Sequence, residues 1–455
     1  MMGNKPIVTI PKGWKSKTVE QVFDFYPTAT YSRDKQVSQS SDTSIKYIHY
    51  GDIHTKYNIL LDASNPLIPH IDGELKKDFE LVKDGDLIIA DTSEDYDGVG
   101  KCVEITNVGD NRIISGLHTL MLRPKGDDFI DGFKGYFFSG EQVRNSLLRI
   151  VTGIKVYSIT KTTLAKVNLQ IPSHQEQKAF VSILSKVDEA IASVHNSIAT
   201  AERLKKSLMQ NLLTGKMKPN GTFRTPEEFY IDEKFGKVPV GWKVRRVDEV
   251  FDFYPTASYS RSMLKEDGEC KYIHYGDIHT RFDTFLDISE ESLPYITHDM
   301  IKKFVLLKDG DLIISDTSED YDGVGKLVEL VNVGDSKVIS GLHTLLLRPQ
   351  TNDLINGFKG YLFNEERVRL EFLKYVTGIK VYSISKNSLS KVLIPIPTRM
   401  EQEQIKQKLD TISKDILASK YKTGRLERLK KSLMQNLLTG KVRINEIMAE
   451  DKYNE

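Results

Sequence analysis

Three groups of residues in this 455-residue chain are of types that do chemistry. His49, Asp52 and His54, matched later by His274, Asp277 and His279, are metal-ligand types. The two imidazoles lie five residues apart, which gathers them on neither a strand face nor a helix face. The expectation is a folded-core or binding-surface role without metal. Ser93, Asp95, Asp97, Gly98 and Glu104 fall on positions 1, 3, 5, 6 and 12 of a calcium loop. Position 1 is Ser, and the segment follows the strand-like DLIIA rather than a helix. Gly100-Lys101 resembles the end of a phosphate-binding loop. The pattern needs Gly where Asp95 stands and Ser or Thr where Cys102 stands, and the second copy has Asp320 and Leu327 there. The chain holds no Gly-x-Ser-x-Gly, no His-Glu-x-x-His and no Asn-Pro-Pro-Tyr. The reading is a non-catalytic binding scaffold.

The elements that must position these residues are written twice. Residues 84–124 and 309–349 align without a gap over 41 positions and agree at 33. FDFYPTATYSR (23–33) recurs at 251–261, YIHYGDIHT (47–55) at 272–280, VTGIKVYSI (151–159) at 376–384 and LKKSLMQNLLTGK (204–216) at 429–441. The offset falls from 228 to 225, so three residues are missing from the second copy between Arg261 and Tyr272. Two long copies mark a tandem domain duplication rather than a solenoid.

Each copy opens with about 170 residues of short β-branched and aromatic runs broken by Gly, Asp and Asn, the signature of a mixed β-rich domain. A helical pattern follows. Phe180, Leu184, Val187, Ile191, Val194, Ile198, Ala201, Leu204, Leu208 and Leu212 are spaced by threes and fours. Ile405 to Leu437 repeat those spacings, with Leu429 in the place of Leu204. This is a coiled-coil seam with one three-residue stammer. Gly215 and Gly440 stand where a helix C-cap belongs. The expected fold class is α+β: two β-rich domains separated by two long helices packed as an antiparallel coiled coil, with approximate two-fold symmetry. A helix over 177–214 is about 57 Å long.

The order of these motifs resembles the specificity (S) subunit of type I restriction–modification enzymes. The likeness covers residues 11 to 443. It rests on Pro-x-Gly-Trp (11–14, 239–242), Gly-Asp-Leu-Ile-Ile (85–89, 310–314), His-Thr-Leu-x-Leu-Arg-Pro (118–124, 343–349) and Thr-Gly-Ile-Lys (152–155, 377–380). Gln-Glu-Gln (175–177, 402–404) and the Leu-Leu-Thr-Gly-Lys close of each helix complete it. The resemblance implies target-recognition domains at 1–173 and 217–398, a central helix at 174–216, a distal helix at 399–443 and a disordered tail at 444–455. It implies that each recognition domain reads one half of an interrupted double-stranded DNA site. The helices would dock two modification (M) subunits, which carry the S-adenosylmethionine; restriction (R) subunits would join to cleave. No cofactor is expected on this chain.

The family's two recognition domains are typically dissimilar, whereas these are near copies. The half-sites are therefore expected to be one sequence in inverted orientation, spaced by at most about 17 base pairs. Residues that read the same bases must be the same in both copies. That excludes 34–46 and most of 56–80. It retains Tyr31, Arg33, His49, Tyr50, Asp52 and His54, then Thr92, Ser93, Asp95, Tyr96 and Lys101, with Lys155 and Tyr157. Their counterparts are Tyr259, Arg261, His274, Tyr275, Asp277 and His279, then Thr317, Ser318, Asp320, Tyr321 and Lys326, with Lys380 and Tyr382. Arg suits guanine and Asp a cytosine amine, while Lys101 and Lys155 suit phosphates.

The formal net charge is +1, so a DNA-binding face must segregate its cations or borrow them from a partner. No apolar run approaches the ~20 residues of a membrane span. The first residues carry no signal-peptide hydrophobic region, and Cys102 and Cys270 occupy non-equivalent places, so the expected location is the cytoplasm. Two rival readings are a methyltransferase acting alone, disfavoured by the missing Asn-Pro-Pro-Tyr, and a coiled-coil adaptor that bridges two proteins without touching DNA.

Overall fold

A computed structural model of the chain describes residues 10–37, 44–71, 79–301 and 304–443. The expected tail at 444–455 and parts of the excluded stretches 34–46 and 56–80 lie outside the described residues. The chain packs as two compact units. One comprises Met1–His195 together with Tyr421–Glu455, and the other Asn196–Lys420. The expected domain boundaries follow the order of elements along the chain; compact packing cuts that order differently.

The first copy contains β1 (Phe23–Tyr26), α1 (Tyr50–Thr55), β2 (Leu60–Asp62), β3 (Leu87–Ala90), β4 (Thr92–Ser93), β5 (Cys102–Thr106), β6 (Thr119–Pro124), α2 (Lys134–Ser139), β7 (Tyr157–Ser158) and the long α3 (His174–Leu212). The second repeats them as β8 (Phe251–Tyr254), α4 (Tyr275–Thr280), β9 (Phe285–Asp287), β10 (Leu312–Ser315), β11 (Thr317–Ser318), β12 (Leu327–Val331), β13 (Thr344–Pro349), α5 (Lys359–Phe363), β14 (Tyr382–Ser383) and the long α6 (Arg399–Leu437).

Each copy is built on a five-stranded sheet. Its order is β1-β6-β3-β5-β2 in the first and β8-β13-β10-β12-β9 in the second. Neighbours run antiparallel except the last pair, β2 on β5 and β9 on β12, which is parallel. All four residues of β3 and of β10 are buried. That explains why DLIIA and DLIIS read as unbroken apolar runs: each lies at the centre of a sheet covered on both faces. The three-residue deletion shows in the smaller sheet. The first copy has four strands there, including Gln36–Val37. Among the described residues the second has three, and the Val37↔His70 pair is matched there by the single bridge Lys265↔Tyr295.

Each sheet is tied to its long helix by a relay of buried polar groups. Glu104 on β5 has no exposed surface. It pairs with the equally buried Lys134 at 2.8 Å and accepts the Gly132 and Gly135 N–H groups at 2.6 and 2.8 Å. The segment so held grips Gln177 on α3. The Gln177 Oε1 accepts the Ile130 N–H, and its Nε2 donates to the Asp128 and Pro172 carbonyls. In the second copy Glu329, Lys359, Gly357 and Gly360 make the same set, and Gln402 is held by Ile355, Asp353 and Pro397.

This corrects one alignment made on sequence. The structural partner of Glu176-Gln177 is Glu401-Gln402, so the second Gln-Glu-Gln (402–404) is out of register by two residues. The helix cap decides the register. Ser173 Oγ donates to Glu176 and Thr398 Oγ1 to Glu401, each three residues on.

The long helices, 39 residues each, begin and end close to expectation. Within the first unit, Glu176 pairs with Arg443 and Asp188 with Lys430, so residue numbers fall along one segment as they rise along the other. Within the second, Glu202 pairs with Lys420 and Arg224 with Glu401. The expected seam positions are not uniformly buried. Leu204 and Leu429, both at positions that the heptad spacing picks out, are half exposed. Gly215 and Gly440 both adopt φ +69°. A Cβ there would also stand 2.1 Å from Pro239 or 2.6 Å from Pro11. The Pro-x-Gly-Trp opening therefore seats on the glycine that closes a long helix, and Trp14 and Trp242 donate their indole N–H to Glu176 and Glu401.

The consequence for the cores is direct. The first unit's core holds Phe180 and Leu184 from α3, and also Leu437 and Leu438 from the far end of the chain. The second holds Leu212 and Leu213 with Ile405 and Leu409. Burying each such side chain contributes roughly 1.5–3 kcal/mol. Truncation before Tyr421 should therefore remove hydrogen-exchange protection around Phe133–Phe138 and Phe180, while protection of β10, in the other unit, persists. Separately, Glu104→Ala removes the buried carboxylate from Lys134, leaving its ammonium only Asp131 and the Ile130 carbonyl, and should cost about 3 kcal/mol in urea unfolding; an unchanged midpoint would count against the relay.

Candidate nucleic-acid interface

The site begins with a short helix held by its first residue. His49 is the N-cap of α1, and its Nδ1 accepts the Gly51 N–H at 3.2 Å. His274 does the same for α4 through Gly276. Both imidazoles are buried, and that burial, more than any neighbouring charge, lowers their pKa below the ordinary histidine value. A neutral ring is what a helix cap needs, because the accepting nitrogen must be free of a proton.

Asp52 points inward from α1. Its Oδ1 pairs with Arg33 at 2.7 Å and Lys56 at 2.9 Å. Asp277 pairs with Arg261 at 2.6 Å. The exposed Arg33 and Arg261 are thus presented by a buried carboxylate that orients the guanidinium and leaves further donors free. This changes the role expected of Asp52 and Asp277. Both are buried, with almost no surface to offer a cytosine, and each carboxylate instead orients an arginine. His49, His274, Ser93 and Ser318 are buried as well, and serve as local braces. Ser93 Oγ accepts the Asp95 N–H, and Ser318 Oγ the Asp320 N–H. Tyr31 packs between Tyr47 and Phe79, and Tyr259 against Tyr272 and Phe304, so their rings belong mainly to the small core beneath the face.

The remaining candidates converge. His54 Nε2 contacts the Thr92 carbonyl at 3.0 Å, joining α1 to β4. Thr92 Oγ1 donates to Asp91 at 2.7 Å and lies 3.3 Å from His118 Nδ1. The Tyr50 ring meets His118 edge-on at 5.2 Å. Strand β4 pairs with β7, setting Tyr157 opposite Ser93. Tyr157 then meets Tyr96 edge-on at 5.3 Å, and Tyr96 Oη donates to the Leu148 carbonyl. The second copy repeats this through His279, Thr317, His343, Tyr275, Tyr382 and Tyr321. Asp95, Lys101 and Lys155 are exposed, as are Asp320 and Lys380. Lys326 is half-buried, with Nζ on the His279 carbonyl at 3.1 Å. Helix, strand, acidic turn and the 152–158 hairpin form one continuous polar face studded with aromatic edges. Hydroxyls, imidazoles, carboxylates and an oriented guanidinium are the donor and acceptor set that reads base edges.

Comparisons with known proteins identify the family. A model of the family described as "Type I restriction modification DNA specificity domain" matches residues 11–203 and again 239–428. The chain belongs to the type I restriction–modification DNA specificity family. Among its relatives, the MjaVIII specificity subunit of a type I restriction enzyme from Methanocaldococcus jannaschii is 24% identical over 316 residues, covering 69% of this chain and 71% of that protein. The StySPI specificity subunit of Salmonella potsdam is 22% identical over 421 residues, 90% of this chain and 85% of that one. Two solved structures share the fold. The S subunit from M. genitalium has a TM-score of 0.53 at 12% identity, over 95% of this chain and 97% of that chain. A structure described as the basis of complex assembly and conformational transition of the type I R-M system has a TM-score of 0.56 at 18% identity, over 95% of this chain and all of that one. Family membership makes the chain a DNA-recognition subunit rather than a catalytic one. Among the described residues, no helix is long and apolar enough to cross a membrane.

Sequence reasoning left out two pairs of residues that the geometry brings to this face. His118 and His343 sit at φ +55°, a left-handed backbone uncommon outside glycine. Their identity in both copies was visible, but they were absorbed into a strand motif. Ile154 and Ile379 were absorbed into a turn motif; an apolar residue fixed between Gly and Lys in a turn was the available signal.

His49 supplies a pH prediction. A ring whose pKa is lower when folded than its unfolded value of ~6.5 binds fewer protons in the native state. Its contribution to stability is complete above that value and is lost as pH falls below it. His49→Asn with His274→Asn keeps a capping acceptor that does not titrate. The paired variant should lose less stability between pH 7 and 5 in urea unfolding than the parent chain.

Proposed function

We propose that each unit of this specificity subunit reads one half of an interrupted double-stranded DNA site, and that both halves carry the same sequence in inverted orientation. The observation that carries this reading is the duplicate face. Arg33, Tyr50, His54, Thr92, Tyr96 and Tyr157 recur as Arg261, Tyr275, His279, Thr317, Tyr321 and Tyr382, in the same hydrogen bonds and ring contacts. Two equal faces select two equal targets.

The charges on the face support groove reading. Glu94, Asp95 and Asp97 are exposed on the turn between β4 and β5. Carboxylates are repelled by a phosphate backbone but accept from cytosine N4. In this reading Asp95 and Asp320 face bases, and Lys101, Lys155 and their counterparts face phosphates. The long helices are the spacer, packed as an antiparallel coiled coil, and the docking surface for two modification subunits. Those subunits bring the S-adenosylmethionine and the methyl transfer, and restriction subunits join the assembly in the cytoplasm. With a net charge of +1, the chain draws part of its DNA affinity from these partners.

Methylation mapping of a reconstituted complex with modification subunits tests the symmetry. The expected motif has two identical inverted halves around unread bases; clearly unlike halves would sink the reading. Arg33→Ala should relax one position of one half-site at a cost of about 1–3 kcal/mol. Uniform weakening across all sequences, with a shallower salt slope, would make Arg33 a phosphate contact instead.

A further inference from the structure

We propose that the Thr152–Ser158 hairpin and its copy Thr377–Ser383 are prongs that press an isoleucine, Ile154 or Ile379, between neighbouring base pairs of bound DNA. The proposal rests on the DNA-reading assignment above and adds a residue and a mode of contact to it.

The tips carry the argument. Ile154 is 91% exposed and Ile379 92%. Val156 and Val381 beside them are about half exposed. An isoleucine held wholly in water forgoes the burial that such a side chain ordinarily supplies, and here it does so twice, at equivalent positions. The hairpin that holds it is not slack. Thr152 and Ser158 exchange both backbone hydrogen bonds, at 3.0 and 2.8 Å, as do Thr377 and Ser383. The turn closes through Gly153 at φ +117° and Gly378 at φ +121°. A Cβ at Gly153 would stand 1.9 Å from the Val156 carbonyl oxygen, so only glycine permits the turn. The base of the prong is tied to the reading face through β7 on β4 and the Tyr96–Tyr157 contact. These bonds and the glycine turn hold the hairpin backbone without help from a ligand, which lowers the conformational entropy lost on binding.

The chemistry of the tip selects the occupant. A specific protein interface needs about 800 Å² from each partner, far more than one side chain on a stalk provides. A base step needs one apolar wedge, and isoleucine is among the side chains that serve. Lys155 and Lys380 follow the isoleucine directly and supply a cation for the adjoining phosphate.

The test uses the complex of the full chain with its modification subunits and a target duplex in which 2-aminopurine replaces successive adenines. Binding by the parent complex should raise fluorescence at one unstacked step in each half-site. Ile154→Ala should abolish the rise in one half and Ile379→Ala in the other, each weakening binding about tenfold. Ile154→Leu should preserve the rise. Gly153→Ala, which distorts the turn, should abolish it as Ile154→Ala does. Specific, salt-dependent binding without any rise, or with a rise that survives Ile154→Ala, would overturn the wedge and leave DNA reading standing. An affinity loss confined to duplexes with thymine at one position, again without a rise, would assign a thymine-methyl contact and overturn it too. Failure of the parent complex to bind any duplex would remove both assignments.

Discussion

The buried pair of Glu104 and Lys134, repeated as Glu329 and Lys359, is the constraint on which each unit depends. Two charges without solvent are tolerated because the remaining carboxylate valences are filled by backbone N–H groups. The same carboxylate fixes the start of α2 and, through Ile130 and Asp128, the grip on Gln177. Sheet and long helix are thereby joined by directional bonds rather than by apolar contact alone. Apolar contact tolerates sliding; a hydrogen-bonded relay does not.

The face itself divides into what is presented and what presents it. Asp52, His49 and Ser93 were expected beside Arg33 and Asp95 as readers, and the structure moves them one layer inward. Identity between the copies could not separate the layers, because a brace is as constrained as the group it braces. Burial separates them. Asp52 holds Arg33 much as Ser93 holds the acidic turn.

Much of the architecture was legible because it obeys local rules. The duplication, the apolar central strands, the two long helices and their glycine stops all follow from pattern and spacing. The register of the second helix start was misread by two residues because Gln-Glu-Gln recurs there by coincidence of composition; the cap at Thr398 decides it. Leu204 and Leu429 fit the heptad spacing yet stand exposed, since spacing records which face a residue occupies and not whether anything covers it. The left-handed His118 left no mark in the sequence because the strain is held by the surrounding fold, where Tyr47 Oη accepts the neighbouring Leu117 N–H. Core closure by Leu437 and Leu438 was beyond any local signal, being a contact between opposite ends of the chain.

That closure has a consequence for the protein as it is made. Phe180 and Leu184 leave the ribosome well before Leu437 and Leu438, the leucines that cover their core, with the whole second copy of the β-rich domain made in between. At ordinary synthesis rates the intervening stretch takes on the order of 10–50 s. Throughout that time the first-made unit lacks part of its own interior, whereas Leu212 and Leu213 are made ahead of the sheet whose core they join. The two near-identical halves are equals in the finished molecule and unequal during birth: the half made first is finished second.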